Sequence, residues 1–289
     1  MLVTLKELLG VARERSFAVG AFNTSDLVLV RAVLEQAEES DAPVILQFAP
    51  GEFNFATPDF FAYVVRRAER SSVPVAIHLD HGKTVEDCAA AIKAGFTSVM
   101  IDGSLLPYEE NVRLTSEVAH LAHLMGASVE GELGTIGTMG NSDEGGVENV
   151  VYTDPDDVVD FVGKTGVDAL AVAIGTAHGI YPKDFVPQLQ LDLLERISAI
   201  APVPLVLHGG SDNPDDEIAR ACRLGIQKVN ISSDIKQVYF QTAMGIYRDT
   251  GNFMPPQVFG PTIKVVRETV LQKMELFGSV GKASCWRAV

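Results

Sequence analysis

Short apolar runs alternate with longer stretches of helical periodicity, and eight such rounds follow one another along the chain. The candidate strands are residues 17–22, 43–48, 75–80, 98–101, 128–133, 169–175, 205–208 and 227–231. Most are apolar at successive rather than alternate positions, the pattern of strands buried on both faces. A helical stretch follows each. The one from Leu27 carries Val30, Val33, Leu34 and Ala37 on one stripe. Ser25 is placed to cap it, Thr84 to cap the helix after the third strand, and Asp154 the helix after the fifth, with Pro155 at the first helical position. Ahead of the first strand, Thr4 and Glu7 have the spacing of a capping box and open a short helix.

Eight βα units in about 250 residues predict a closed (β/α)8 TIM barrel, α/β in class. Extra helices are expected at both ends, with residues 1–289 forming one domain. An open doubly wound sheet is the alternative. It would need a glycine-rich dinucleotide fingerprint after the first strand, and Gly20-Ala-Phe-Asn23-Thr-Ser25 lacks the spacing. Residues 134–149 read as one long irregular stretch with five glycines, Gly134, Gly137, Gly140, Gly145 and Gly146. A loop of that length in a compact domain is usually functional, often a lid.

Composition narrows the function. With 289 residues and 47% apolar content a large core can form, which excludes disordered and disulfide-scaffold classes. A net charge of −15 argues against nucleic acid and anionic membrane as partners. No apolar run approaches the roughly 18 residues of a spanning helix. The charged N-terminal segment is unlike a secretion signal, and the 3 scattered cysteines, Cys88, Cys222 and Cys285, suit a reducing cytoplasm.

Three of the 6 histidines fall at the ends of candidate strands, each followed by glycine: His81-Gly82, His178-Gly179 and His208-Gly209. In a barrel all strand C-termini open on one face, so the three converge there. Three imidazoles make a catalytic metal set with the fourth position open to water or substrate. His120 and His123 read as solvated helix positions, and His78 as a residue inside strand three. Asp80 precedes His81, so strict alternation would turn the two to opposite sides, although strand ends relax this. Beside a metal, Asp80 could move a proton to or from a substrate hydroxyl. Glu130 and Glu132 share one face of strand five, where burial demands a partner or a metal. Gly209-Gly210-Ser211 and Asn230-Ile-Ser232-Ser233 follow strands seven and eight, the two loops with which barrels often bind phosphate.

In this combination the chain resembles the class II, zinc-dependent ketose-bisphosphate aldolases, which include fructose- and tagatose-bisphosphate aldolases. The resemblance implies a lyase in which Asp80 is catalytic, His81, His178 and His208 bind Zn2+, and Glu132 holds the metal in an alternative position. It further implies that Asn23, Gly179, Gly209, Gly210, Ser211, Asn230, Ser232 and Ser233 meet substrate, and that a monovalent cation (Na+ or K+) sits near its phosphate. Dihydroxyacetone phosphate would chelate zinc as an enediolate. The base at carbon would be an acid of the glycine-rich loop, Asp143 or Glu144. The family resemblance also implies a homodimer or tetramer.

The departures concern the aldehyde end. Pro182 displaces Lys183 by one place from the position where relatives carry a phosphate-contacting lysine. Ala49 replaces a hydroxyl residue after strand two. Phe253-Met-Pro255-Pro256-Gln257-Val258 stands where an Asp-Pro-Arg motif is common. Loss of that guanidinium removes a bidentate phosphate clamp. The expected substrate is thus a ketose phosphate giving dihydroxyacetone phosphate and an aldehyde without its own phosphate. A non-catalytic barrel subunit of an aldolase complex should lack the three histidines, which are present. A zinc-dependent hydrolase leaves the phosphate loops unexplained.

Overall fold

A computed structural model describes residues 1–139, 150–179, 181 and 187–286. The chain opens with α1 (Leu5–Glu14), β1 (Val19–Asn23), α2 (Leu27–Glu39), β2 (Val44–Phe48), α3 (Pro50–Phe55), α4 (Pro58–Glu69) and β3 (Val75–Gly82). It continues through α5 (Val85–Lys93), β4 (Ser98–Ile101), α6 (Tyr108–Leu124), β5 (Ser128–Leu133), β6 (Gly137–Met139) and α7 (Pro155–Thr165). The last elements are β7 (Ala169–Val172), β8 (Ala177–Gly179), α8 (Leu191–Ile200), β9 (Leu205–Leu207), α9 (Asp215–Leu224), β10 (Ile226–Ile231), α10 (Ser233–Thr250) and α11 (Pro255–Leu276).

Eight parallel strands close a barrel in the order β1-β10-β9-β7-β5-β4-β3-β2, the TIM-barrel architecture. Every residue of these eight strands is buried, the polar residues of β3, β5 and β10 included. One parity faces the helices: Leu46, Ile77, Val99, Val129, Leu170 and Val229 join the large outer core. The other parity fills the barrel. Val19, Ala21, Ile45, Ala76, Ala169, Ala171 and Val206 pack there against Leu5, Leu8, Leu9 and Ala12 of α1, which plugs the N-terminal end. The capping box that starts α1 is formed, with Glu7 N donating to Thr4 Oγ1 and Thr4 N to Glu7 Oε2.

Three local expectations are corrected. Asp26, not Ser25, caps α2, because its Oδ1 accepts from the amides of both Val28 and Leu29 at 2.8 and 2.9 Å. The irregular stretch after residue 134 contains β6, which pairs in parallel with β8 as a separate two-stranded sheet. The sixth barrel strand ends at Val172, short of the expected residue 175, so His178 lies on β8 and not at a barrel strand's end. Among the described residues no helix is long and apolar enough to cross a membrane. All three cysteines are free.

Candidate active site

The conflict between strand alternation and a joint role for Asp80 and His81 is resolved by the backbone. His81 has φ 51°, a left-handed conformation rare outside glycine, and the β3–β4 register shifts between Leu79 and Gly82. The kink turns both side chains into the barrel mouth, with His81 Nε2 4.0 Å from Asp80 Oδ1 and both residues buried. Local strain of this kind collects at functional sites.

Ligand atoms of His81, His178 and His208 lie within 4.8 Å of one another. Each of two rings is held from behind by a carboxylate. His81 Nδ1 donates to Asp102 Oδ2 at 3.1 Å, and His208 Nε2 donates to Glu130 Oε1 at 2.8 Å. These bonds occupy the outer nitrogens and turn His81 Nε2 and His208 Nδ1 towards each other across 2.9 Å, with one proton or one metal ion to be shared between them. Two ring nitrogens so close call for a shared cation, and a carboxylate behind each imidazole is the usual support of a metal-binding histidine. The donor set therefore fits a divalent metal that takes imidazole nitrogen. A second cluster, His81, Asp102 and Glu132, offers ligand atoms within 4.8 Å as well. Glu132 Oε2 is buried with no hydrogen-bond partner among the described residues. Burial and the neighbouring Asp102 carboxylate push the Glu132 carboxyl up to about 8, although His81 pulls it back, so its ionised form calls for a cation alongside.

Asp102 was missed from sequence, although Asp102-Gly103 repeats at strand four the polar-residue-then-glycine signature of the three histidines. It accepts from Lys83 Nζ at 2.7 Å and from Ser104 N and Oγ at 3.1 and 2.6 Å, so its orientation is fixed from four sides. Asp102→Asn is expected to weaken metal binding by about 10–100-fold. Competition with a chromogenic chelator measures this, and an unchanged affinity would show that Asp102 does not orient His81.

Asp80 sits in a cage of side-chain amides. Oδ2 accepts from Asn23 Nδ2 at 3.2 Å and Gln47 Nε2 at 3.3 Å, and Oδ1 accepts from Asn230 Nδ2 at 3.1 Å. Gln47 Nε2 also donates to Asn23 Oδ1 at 2.6 Å, which fixes that amide's orientation. Burial alone would raise the Asp80 carboxyl. The cation shared by His81 and His208, together with Lys228, outweighs it and holds the group down at about 2. Asn23 and Asn230, expected near substrate, are thus positioned on Asp80. Gln47 was not singled out, but its place two residues after inward-facing Ile45 gives its direction.

Beneath the histidines lies a wholly buried polar layer. Lys228 Nζ is 2.9 Å from Glu130 Oε2, and His78 Nε2 is 3.6 Å from the same oxygen. His78 Nδ1 pairs with Ser98 Oγ at 2.7 Å. Glu130 is therefore an interior partner of His208, not a rim residue, and Lys228 was legible only as a lysine of inward parity in an apolar strand.

The two expected phosphate loops adjoin. A Cβ on Gly209 would lie 2.5 Å from the Ala177 carbonyl oxygen, and one on Gly210 2.5 Å from Val229 Cγ1, so both glycines are required by close packing. The Gly210 amide donates to Asn230 O at 3.0 Å. Ser211 Oγ accepts from the amides of Ser232 and Asp234 at 3.2 and 3.3 Å, which ties the loop after β9 to the start of α10. The Gly209 carbonyl accepts from Asn213 Nδ2 at 2.6 Å. Gly179 ends β8 with φ 100°. Ser233 opens α10, and Ser232 makes no side-chain capping bond.

Asp143, Glu144 and Lys183 lie outside the described residues. Phe253 and Met254 precede α11 and Pro255 through Val258 open it, at the far end of the 18-residue α10. At 1.5 Å per residue that is roughly 27 Å from the rim, so a side chain there does not reach this chain's own site. His120 is exposed, as expected. His123 is not merely solvated: its Nε2 donates to the buried Asp168 Oδ2 at 2.8 Å, a partner 45 residues away that joins α6 to the foot of β7.

Residues 3–282 match the family model "Fructose-bisphosphate aldolase class-II". The chain is 42% identical to the fructose-bisphosphate aldolase of Geobacillus stearothermophilus over 98% of its own length and 99% of the relative's. It is 41% identical to the 6-phospho-5-dehydro-2-deoxy-D-gluconate aldolase of Bacillus licheniformis, over 99% of this chain and 98% of that one. Among solved structures, the YdjI aldolase of Escherichia coli K12 superposes with a TM-score of 0.86 at 36% identity, covering 98% of this chain and 100% of the other.

Proposed function

The chain belongs to the class II fructose-bisphosphate aldolase family, a family of lyases, and on that premise we propose that it cleaves a ketose 1-phosphate to dihydroxyacetone phosphate and an aldehyde without its own phosphate. The observation that carries the reading is the amide-caged Asp80 beside three converging imidazoles.

His81, His178 and His208 would hold a divalent metal, zinc in this reading, with Glu132 as an alternative ligand. The ion supplies Lewis-acid stabilisation of the negative charge that develops on the ketose oxygens. Asp80, kept ionised by its cage, takes the proton of the hydroxyl beside the breaking carbon–carbon bond during cleavage and returns it to the aldehyde oxygen during condensation. Asn23, Gln47 and Asn230 fix the direction in which that carboxylate points. The loops Gly209-Gly210-Ser211 and Asn230 through Ser233 would take the donor phosphate, helped by Gly179 and by Lys183. A monovalent cation (Na+ or K+) would sit beside it. Asp143 or Glu144 would exchange the proton at carbon.

Support for an aldehyde without phosphate comes from the arginines. Every described arginine lies on a helix or at its C-cap, and none lies in the segments that follow the barrel strands. The relatives are named for different sugars, so family membership leaves the aldehyde open. A homo-oligomer is supported by Phe240, Met244 and Tyr247, exposed at 59%, 67% and 60% on one stripe of α10. The reading places the protein in the cytoplasm.

A coupled assay for dihydroxyacetone phosphate release across ketose 1-phosphates and bisphosphates tests the reading. Release is expected with zinc, is lost on chelation and returns on reloading, with a monophosphate preferred. Fructose 1,6-bisphosphate as the best substrate would contradict the distal-end assignment. No release from a folded, metal-loaded sample would contradict the activity.

A further inference from the structure

Strands β2 and β10 are the two neighbours of β1, so α3 and α10 begin on either side of Asn23. Each sends one charged side chain towards the other. Glu52, in the first turn of α3, and Lys236, in the first turn of α10, meet with Oε1 and Nζ 2.6 Å apart. Glu52 is anchored from within, where Oε2 accepts the Ala49 amide at 2.8 Å and Asn23 Nδ2 at 3.4 Å. Its side chain is 8% exposed and that of Lys236 28%. The pair forms a strap over the end of β1, with Glu52 held against Asn23, itself a donor to Asp80, and Lys236 as the more exposed partner.

On the aldolase reading, on which this inference rests, the donor half lies between the histidines and the loops after β9 and β10. The aldehyde begins at the hydroxyl handled by Asp80, whose cage partners Asn23 and Gln47 come from β1 and β2. The rest of the aldehyde therefore runs past the strap. Other described cations near the strand ends are committed: Lys83 to Asp102 at 2.7 Å and Lys228 to Glu130 at 2.9 Å.

We propose that the Glu52–Lys236 pair sets the specificity for the aldehyde, selecting an uncharged, hydroxylated aldehyde over a phosphorylated one. A hydroxyl can donate to the carboxylate and accept from the ammonium. A phosphate meets no net positive charge there, and must either lie against the Glu52 carboxylate or separate it from Lys236. Glu52→Gln removes the opposing charge while keeping an acceptor for the Ala49 amide, and leaves the ammonium without that counter-charge.

The test is condensation of dihydroxyacetone phosphate with glyceraldehyde and with glyceraldehyde 3-phosphate, read as the ratio of the two kcat/KM values. The wild type is expected to favour glyceraldehyde. E52Q is expected to move the ratio towards the phosphorylated aldehyde by about tenfold, and E52Q/K236M to abolish most of that gain. A ratio unmoved by E52Q, or a gain that survives loss of the ammonium, overturns the proposal. If E52Q does not fold, K236M alone decides: the ratio should move further towards glyceraldehyde, and no movement overturns the proposal. Deuterium exchange from solvent into dihydroxyacetone phosphate by the wild type needs no aldehyde. Its absence overturns the aldolase reading, whereas exchange with an unmoved ratio overturns the strap alone.

Discussion

Replacing Asp80 by alanine is expected to lower the turnover of ketose phosphate cleavage by about 10²–10⁴-fold, the range for loss of a positioned general acid or base. Hydrogen exchange into dihydroxyacetone phosphate should fall far less, because the proton that Asp80 carries belongs to the hydroxyl of the aldehyde half. The two rates measured on one preparation separate the roles, and an equal loss in both would move Asp80 to the donor half. Asparagine is not a mild substitute here. Both carboxylate oxygens receive amide donors, two on Oδ2 and one on Oδ1. The NH2 group of an asparagine in this cage would face a donor in either orientation, so D80N should lose the proton transfer and the cage together.

The second large effect is one of stability. Lys228 and Glu130 are both fully buried, 2.9 Å apart. Lys228→Met leaves the Glu130 carboxylate in the barrel without its cation, a change that typically costs about 3–5 kcal/mol. It should appear as a lower urea midpoint at an unchanged m-value. Lys228→Met combined with Glu130→Leu should restore much of the loss, since a buried pair replaced by apolar residues is often near neutral. That double variant should still bind metal poorly, because Glu130 also holds His208 Nε2 at 2.8 Å. Stability and metal affinity then part company. If both recover together, Glu130 has no part in orienting His208.

Much of this site was legible in the chain because barrel strands end on one face, so a histidine–glycine step after a strand is already a position in space. His81 and His208 follow that logic. His178 converges for a different reason, since it rides on β8, whose partner β6 lies in what reads as loop. A three-residue strand carries too few residues to show a period, and only its pairing defines it. Asp80 beside His81 contradicts alternation until the left-handed turn at His81 is seen. Asp102, Lys228 and Lys236 escape for a shared reason: their significance lies in a partner from another strand or helix, and the 150 residues between Asp80 and Asn230 carry no local trace of the contact. The same holds for His123, whose acid arrives from the foot of β7.

The helix that plugs the barrel has an effect at the opposite end. Leu5, Leu8, Leu9 and Ala12 are wholly inaccessible to solvent, and with Val19, Ile45, Ala76 and Val206 they make a dry floor under the charged layer of His78, Glu130 and Lys228. The barrel is in effect a vessel with one opening. Among the described residues that floor separates the charges that orient His208 from water below. Electrostatic forces among those groups act at the short range and high strength of a dry interior. A leucine-lined helix at the N-terminus, distant from the histidines, thereby contributes to the dry setting in which Glu130 holds His208.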